Sequence, residues 1–168
     1  SIFSHLACAD WISQASRKSE QDMSLIFSRQ CEYALQAVLY IALKGPGEWA
    51  SIKEITNRMK IPAHFLAKIL QGLTKKKIIV SLRGPTGGFA FARSPRDIKL
   101  LEVVRAIDGN DILEKCVMGF PECSPNNPCS VHERWVDLRD GLDRMLATKS
   151  LVEMAREIHF ASGIDATS

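Results

Sequence analysis

The chain has 168 residues, of which 46% are apolar, and a formal net charge of +3. This length is enough for one hydrophobic core, and no apolar run approaches the roughly 18 residues of a membrane-spanning helix, so we expect no membrane segment. Residues 1–22 lack the basic leader and apolar centre of a secretory signal, which predicts a cytoplasmic protein. Because Met23 directly precedes a helical pattern, we interpret residues 1–22 as an N-terminal extension that is non-native or disordered.

Charge is unevenly distributed along the chain. Residues 23–99 contain 13 Lys and Arg against 4 Asp and Glu, a net charge of +9, whereas residues 100–168 contain 7 against 12, a net charge of −5. A strongly basic half is typical of a surface that contacts nucleic-acid phosphates. A solvated basic face is the alternative that charge alone leaves open.

Three helices are predicted in the basic half. The first spans residues 28–43, with Ser28 as its candidate N-cap. Ser51 and Glu54 form the capping-box pattern of a short second helix, and Pro62 is predicted at the first position of a third. The core face of the third helix is predicted to be Phe65, Leu66, Ile69, Leu70 and Leu73. Two short helices joined by two or three residues indicate a helix-turn-helix.

A β-hairpin is predicted after the third helix. Residues 78–82 (IIVSL) and 89–92 (FAFA) are rich in β-branched and aromatic residues, and the connecting RGPTGG contains glycines suited to a turn. A helix-turn-helix followed by a hairpin is a winged-helix DNA-binding domain, which we assign to residues 23–99. The glycine-rich segment lacks the Gly-Lys-Ser/Thr of a phosphate-binding loop, so nucleotide binding is not expected.

Six basic side chains are candidate DNA contacts of this winged helix. His64 and Lys68 lie one turn apart on the polar side of the third helix, where they are placed to read bases in the major groove. For His64, an idle surface position is an equal alternative. Arg83, at the hairpin tip, suits a narrow, A·T-rich minor groove. The candidate phosphate contacts at the end of the third helix are Lys75, Lys76 and Lys77. Their positive charges also stabilise the helix, because they lie at the negative end of its dipole.

Residues 100–131 are predicted to form a linker helix and a cysteine loop. The loop, CVMGFPECSPNNPC, has little apolar material with which to become ordered by burial. Its thiols belong to Cys116, Cys123 and Cys129, and clustered thiolates suit Zn²⁺, Cu(I) or an iron–sulfur cluster. The pattern predicts a metal-dependent sensor.

Residues 132–168 are predicted to form a dimerisation helix, a short final helix that Ser150 and Glu153 cap, and a tail. An apolar seam with spacings of three, four and three runs along the long helix through Trp135, Leu138, Leu142 and Met145. Such a narrow stripe favours a partner helix in a two-fold homodimer, with packing within one chain as the alternative. A dimer of this kind matches the two half-sites of a palindromic operator on double-stranded DNA.

In combination, these motifs resemble the IscR and NsrR family of winged-helix transcription regulators. The resemblance covers most of residues 23–158 and is carried by SRQCEYAL, IPAHFLAKIL, SLRGPTGGFAFARSP, VVRAIDG and the three-cysteine loop. It implies a mainly α fold with a small β-hairpin and a long C-terminal dimerisation helix. It also implies DNA binding as a homodimer and an iron–sulfur cluster on the cysteines, with [2Fe-2S] favoured over [4Fe-4S]. The first cysteine gap is six residues where five is usual, which leaves the cluster type open.

The resemblance implies two alternative fourth ligands. His132 lies three positions after Cys129, as a ligand histidine does in one branch of the family. Glu32 matches a carboxylate ligand that the partner subunit supplies in another branch, although it is also placed to pair with Arg29. His132 is slightly preferred. Cys31, beside Glu32, is expected to be a buried free thiol.

These observations predict a repressor whose operator affinity is controlled by a cluster that senses redox state, nitric oxide or iron–sulfur status. Zinc or bare redox thiols in place of the cluster are the alternative within the same class. A small iron–sulfur electron-transfer protein is the alternative of another class, but it has no need of a basic winged helix. No enzyme is expected, because no catalytic triad or paired carboxylates stand out.

Overall fold

The computed structural model describes residues 26–157, except for the side chains of Asp111 and Ile112. Over this range the chain forms seven helices and a two-stranded antiparallel sheet, so the predicted mainly α fold with a small hairpin is confirmed. The helices are α1 (Arg29–Lys44), α2 (Ile52–Met59), α3 (Ala63–Lys75), α4 (Leu100–Asp108), α5 (Asp111–Glu114), α6 (His132–Thr148) and α7 (Leu151–Glu157). The strands are β1 (Ile79–Leu82) and β2 (Gly88–Phe91). The predicted extension over residues 1–22 and most of the predicted tail lie outside the described residues.

Helix α1 lies at the centre of the fold and begins where its cap predicts. The Ser28 hydroxyl accepts a hydrogen bond from the Cys31 N–H at 3.1 Å, and the Ser28 N–H donates to Asp108 of α4 at 2.9 Å. The helix ends at Gly45, whose φ of 97° favours glycine. Helices α3, α4 and α7 pack against α1. The predicted burial of Cys31 is confirmed, because its side chain is fully enclosed in this core.

Helices α2 and α3 form the predicted helix-turn-helix. The capping box is present, with the Glu54 N–H donating to the Ser51 hydroxyl at 3.2 Å and the Ser51 N–H donating to the Glu54 carboxylate at 2.9 Å. Helix α3 begins at Ala63, one residue later than predicted, because Pro62 is its N-cap. Its buried residues are Leu66, Ile69, Leu70 and Leu73.

The predicted burial of Phe65 is wrong. Its side chain is 38% exposed, whereas Leu66 beside it is fully buried. Each residue of an α-helix is rotated by about 100° from the one before it. Phe65 therefore lies at the edge of the buried stripe, whose centre is formed by Leu66 and Leu70. This edge position leaves Phe65 partly exposed despite its apolar character.

The β-hairpin follows α3 directly, within one residue of the predicted bounds. Ile79 pairs with Phe91 at the open end, and Leu82 pairs with Gly88 near the turn. Ala50, just before α2, adds a short third pairing, since its N–H and C=O both bond to Phe89 at 2.9 Å. A Cβ on Gly88 would lie 2.6 Å from the Ala50 oxygen, so this close approach requires glycine.

The C-terminal half returns to the same core. Gly109 ends α4 as predicted, and Ser150 and Glu153 form the predicted cap of α7, with the Ser150 N–H donating to Glu153 at 2.7 Å. Leu151 is buried in a hydrophobic cluster whose residues run from Cys31 to Ala155. The predicted domains therefore share one core, and their boundaries stay predictions. Among the described residues, no helix is both long and apolar enough to cross a bilayer.

Candidate metal centre and nucleic-acid interface

The cysteine loop between α5 and α6 is built from short turns. The Gly119 N–H donates to the Cys116 carbonyl at 2.9 Å, and the His132 N–H donates to the Cys129 carbonyl at 3.0 Å. No residue from 114 to 131 is buried. The most exposed apolar side chains of the loop are Val117, Met118 and Phe120. Local hydrogen bonds, and not burial, therefore order this segment.

The three thiols of the loop meet at one point. The sulfur of Cys116 lies 3.7 Å from that of Cys129, and these two and the Cys123 sulfur all lie within 4.8 Å of one another. Among the described side chains of residues 26–157, no other three donor atoms of His, Cys, Asp or Glu lie this close to one another. The structure thus brings together the three predicted ligands. Soft sulfur donors at this spacing can hold a metal ion.

The pKa values of two of these thiols are shifted in opposite directions by their surroundings. Partial burial works to raise the pKa of Cys116, but the backbone N–H groups of Met118 and Phe120 and the two other thiols outweigh it and lower this pKa. For Cys123, the Cys129 N–H works to lower the pKa, but desolvation and the neighbouring thiols together raise it. Of these two, Cys116 ionises first, and the thiolate is the form that binds metals.

The two candidate fourth ligands have different neighbours. The Nδ1 atom of His132 lies 3.2 Å from the Cys123 sulfur, so its imidazole borders this one thiol. Glu32, in the first turn of α1, forms an ion pair with Arg29 at 2.9 Å. Within one chain, His132 is therefore beside Cys123, and Glu32 forms the ion pair with Arg29 that was predicted as its alternative role. Ligation by either residue stays a prediction.

Two side chains of α6 attach the cysteine loop to the long helix. The Trp135 indole N–H donates to the Lys115 carbonyl at 2.9 Å, and Arg139 donates to the Glu114 carbonyl at 3.4 Å. Both carbonyls lie just before Cys116. The stripe pattern predicted only a dimer contact for Trp135, because a hydrogen bond between residues 20 apart in sequence leaves no local signal.

The predicted dimer seam of α6 is divided between core and solvent. Leu138 and Met145 are 68% and 61% exposed, whereas Leu142 packs against the core and Trp135 is half-buried. Part of the stripe therefore stabilises the single chain. The exposed pair is the part available to a partner helix, and dimerisation through it stays a prediction.

The exposed face of α3 carries the predicted base-reading residues. His64 and Lys68 are both exposed, and the His64 ring contacts the Phe65 ring with centroids 4.2 Å apart. At the other end of the helix, the three predicted phosphate contacts, Lys75, Lys76 and Lys77, are also exposed. The structure thus places all five side chains where DNA can reach them.

A groove separates α3 from the tip of the hairpin. It has a volume of about 580 Å³ and is bordered by Arg83 on the hairpin, by Gln71 and Lys75 on α3, and by Ser51 before α2. Arg83 is exposed, and a Cβ on Gly87 would lie 2.1 Å from the Leu82 oxygen, so the tight tip requires glycine. Gln71 was not predicted as a contact, although it continues the polar stripe three residues after Lys68.

Comparisons with known proteins agree with this architecture. Residues 27–157 match the model of the Rrf2 family, described as "Iron-dependent Transcriptional regulator". An HTH-type transcriptional regulator of Aquifex aeolicus (strain VF5) is 35% identical over 117 residues, which are 68% of this chain and 81% of that protein. The HTH-type transcriptional regulator IscR of Photorhabdus laumondii is 30% identical over 122 residues, 73% of this chain and 74% of that protein.

Solved structures show the same fold. CymR (YrzC), the global cysteine regulator of B. subtilis, superposes with a TM-score of 0.69 at 23% identity, covering 80% of this chain and 99% of that chain. T. potens IscR superposes with a TM-score of 0.63 at 24% identity, covering 85% of this chain and 95% of that chain. At these identities, the structures support the fold alone.

The family match spans well over half of the chain, and its relatives are transcription regulators, not enzymes. The predicted resemblance to IscR-type regulators is therefore confirmed. DNA binding is supported by the helix-turn-helix, the wing and their exposed basic residues. The chain belongs to the Rrf2 family of DNA-binding transcriptional regulators.

Proposed function

We propose that this protein is a homodimeric repressor of a palindromic operator, and that an iron–sulfur cluster on Cys116, Cys123 and Cys129 controls its affinity for DNA. The observation that carries the proposal is the convergence of three thiols within 4.8 Å on a loop without buried residues. Burial supplies little energy to hold such a loop beyond its local hydrogen bonds, so a ligand on the sulfurs would add substantially to its order. The iron dependence in the family description adds support.

The donor set suits this cofactor. Cysteine thiolates are the usual protein ligands of iron–sulfur clusters. His132, beside Cys123, is the preferred fourth ligand and would give a Cys₃His set. Glu32 from a second copy of the chain is the alternative fourth ligand. When bound, the cluster supplies a group that responds to redox state, nitric oxide or iron supply. We favour [2Fe-2S] over [4Fe-4S].

On DNA, α3 is proposed to lie in the major groove. His64 and Lys68 face the base edges there, and Arg83 enters the adjacent minor groove. The phosphate contacts are Lys75, Lys76 and Lys77. Since each exposed cation displaces a counterion from DNA, the affinity should fall steeply with salt.

Helix α6 is proposed to transmit the state of the cysteine loop. Trp135 and Arg139 hold the two carbonyls that precede Cys116. The same helix carries Leu138 and Met145, the exposed part of the proposed dimer contact. A shift of the sulfurs therefore acts on the element that sets the distance between the two α3 helices of a dimer, which changes operator affinity.

The test combines anaerobic purification with absorption spectroscopy, iron and sulfide quantification, and binding to operator fragments selected from genomic DNA. Replacing Cys116, Cys123 and Cys129 together by Ala should abolish visible absorbance and change operator affinity by roughly tenfold or more. The matched control is Cys8→Ala, at a cysteine of the predicted N-terminal extension that was not a candidate ligand, which should leave both unchanged. Equal DNA binding by cluster-loaded and cluster-free protein would contradict the switch, and a colourless, iron-free protein would contradict the cluster.

Zinc is a second candidate occupant, favoured by one distance. Zinc bonds of about 2.3 Å in tetrahedral geometry place ligand sulfurs about 3.8 Å apart. The Cys116 and Cys129 sulfurs are 3.7 Å apart. Oxidation of these two neighbouring thiols would give a disulfide, the bare-thiol form of a redox sensor, once the sulfurs rotate to bonding distance. One zinc per chain without sulfide would support the zinc form, and reversible disulfide formation without any metal would support the thiol form.

A further inference from the structure

A cavity of about 610 Å³ lies between the hairpin and the C-terminal helix α7. Its walls are the end of α1, the loop over residues 45–49, the two strands and the segment over residues 93–96. No predicted DNA contact, cysteine or dimer-seam residue lines it. Its volume is within the range of small-molecule sites. The cavity is therefore separate from both proposed functional surfaces.

The inner wall of the cavity is apolar. Val80 and Ala90 face each other across the hairpin, and Val80 keeps 39% of its surface exposed although it is β-branched and lies within a strand. The apolar lining also includes Ile41, Trp49, Phe91 and Val152. Such a wall favours an aliphatic or aromatic group over water.

The rim of the cavity is cationic. Arg93 is occupied, because it pairs with Glu102 and donates to the Asp97 carbonyl at 3.0 Å. Arg96 and Arg156 are exposed, and no carboxylate or carbonyl of residues 26–157 pairs with either guanidinium. The lining contains three guanidinium groups and one carboxylate, that of Glu48.

We propose that this cavity binds a small amphipathic anion, namely a carboxylate or sulfonate with an aliphatic or aromatic body. The apolar wall takes the body, and Arg96 and Arg156 bind the anionic group, for which the planar guanidinium fork is suited. A neutral ligand leaves this cationic rim unused, and a cationic ligand is repelled. Because Val80 and Ala90 belong to the hairpin that carries Arg83, a bound anion contacts the proposed DNA-reading wing directly.

Octanoate is the test probe, with octanol as its neutral analogue of equal chain length. Both are titrated into ¹⁵N-labelled full-length protein without DNA, and amide shifts are followed by NMR. Octanoate should shift amides at residues 41–49, 90–96 and 152–156 saturably, and octanol should bind at least about threefold more weakly because it lacks the charge. Equal affinity for the two probes, or octanoate shifts confined to the α6 face around Leu138, would overturn the proposal.

Variants distinguish the contribution of the charged rim to binding from that of the apolar cavity. Arg96→Gln should weaken octanoate binding by about three- to tenfold and leave octanol binding unchanged. The matched control is Arg144→Gln, at an exposed arginine of α6, which should change neither. Ala90→Phe should weaken both probes by filling the cavity, with its fold checked by circular dichroism. If Arg96→Gln and Arg144→Gln bind octanoate alike, the charge assignment fails.

The protein's own C-terminal residues are the competing occupant. A chain that ends at Glu157 should bind octanoate as the full-length chain does. Binding that appears only after this truncation would mean that residues 158–168 take the cavity, and the proposal would be wrong. The measurement needs neither metal nor operator, so its outcome is independent of the proposed repressor function.

Discussion

The winged-helix domain and the cysteine loop are stabilised in opposite ways. From α1 to β2, the chain buries an apolar stripe on every helix, and Ile55, Leu66 and Leu70 are fully enclosed. From residue 114 to residue 131, no side chain is buried, and the order comes from turns and a few hydrogen bonds. Segments with few buried contacts open at low cost, so a ligand or an oxidant can change this loop more easily than the winged-helix domain.

The cysteines show the same contrast at single residues. Cys31 lies in the core, where burial, with the nearby Asp108 and Glu32 carboxylates, raises its pKa to about 12. Cys116 lies on the loop, where backbone N–H groups help to lower its pKa despite desolvation. The same side chain is therefore inert in one region and reactive in the other.

The largest expected effect is on thiol alkylation. At pH 8, a thiol with a pKa of about 12 has roughly a thousandfold less thiolate than one at the ordinary value near 9. In reduced, metal-free protein, iodoacetamide should therefore label Cys116 at least about a thousandfold faster than Cys31, as measured by peptide mass spectrometry over time. The control is unfolded protein, in which the two rates should converge. Similar alkylation rates in the folded protein would contradict the predicted difference in reactivity between the two cysteines.

Core truncation should have the next largest effect. Leu66→Ala removes a fully buried side chain and should lower the free energy of unfolding by about 3 kcal/mol. Phe120→Ala, at a loop residue that is more than half exposed, should change it by less than about 0.5 kcal/mol. Urea denaturation of metal-free protein measures both. A large loss from Phe120→Ala would show that the loop packs against something, such as a second copy of the chain.

Arg83→Ala tests the wing without disturbing the core, because Arg83 is exposed at the hairpin tip. Loss of one cationic contact should weaken operator binding by about fivefold, or about 1 kcal/mol, and reduce the slope of log affinity against log salt by about one. Fluorescence anisotropy at several salt concentrations measures both quantities. Arg144→Ala on α6 is the control and should leave affinity unchanged. An unchanged slope for Arg83→Ala would exclude Arg83 as a DNA contact.

Loss of the α2 cap should have an effect of similar size on stability. Ser51→Ala removes the hydroxyl that accepts the Glu54 N–H and should lower the free energy of unfolding by about 1 kcal/mol. The loss should appear in urea denaturation at any pH at which the protein folds. Ser81→Ala, at an exposed strand residue, is the control, and equal effects of the two variants would argue against the cap.

The smallest expected effect depends on pH. The Lys44 ammonium and the Ser51 N–H hold the pKa of Glu54 below its ordinary value. A folded pKa that is lowered means that the stabilisation is present above the ordinary glutamate pKa and is lost as the pH falls. Glu54→Gln should therefore cost a few tenths of a kcal/mol at pH 7, because the ion pair is partly exposed, and almost nothing near pH 3. A loss that does not shrink between these pH values in urea denaturation would contradict this ion pair.

Local signals in the sequence predicted the described elements of the fold other than the short helix α5. The caps at Ser28, Ser51 and Ser150, the end of α4 at Gly109 and the hairpin turn all depend on residues within a few positions of one another. The cysteine triad was also identified from residue type and composition. Phe65 is the exception, because an apolar residue at the edge of a helical stripe has no local mark of its exposure.

Only the tertiary structure decided how distant segments meet. The 3.7 Å between the Cys116 and Cys129 sulfurs, the Trp135 bond to the Lys115 carbonyl and the division of the α6 seam depend on how α6 is placed by the core. The cavity between the hairpin and α7 likewise depends on segments that are far apart along the chain. Periodicity and caps report energies within one turn or one hairpin, whereas these contacts follow from the packing of the whole chain, for which a single sequence carries no local signature.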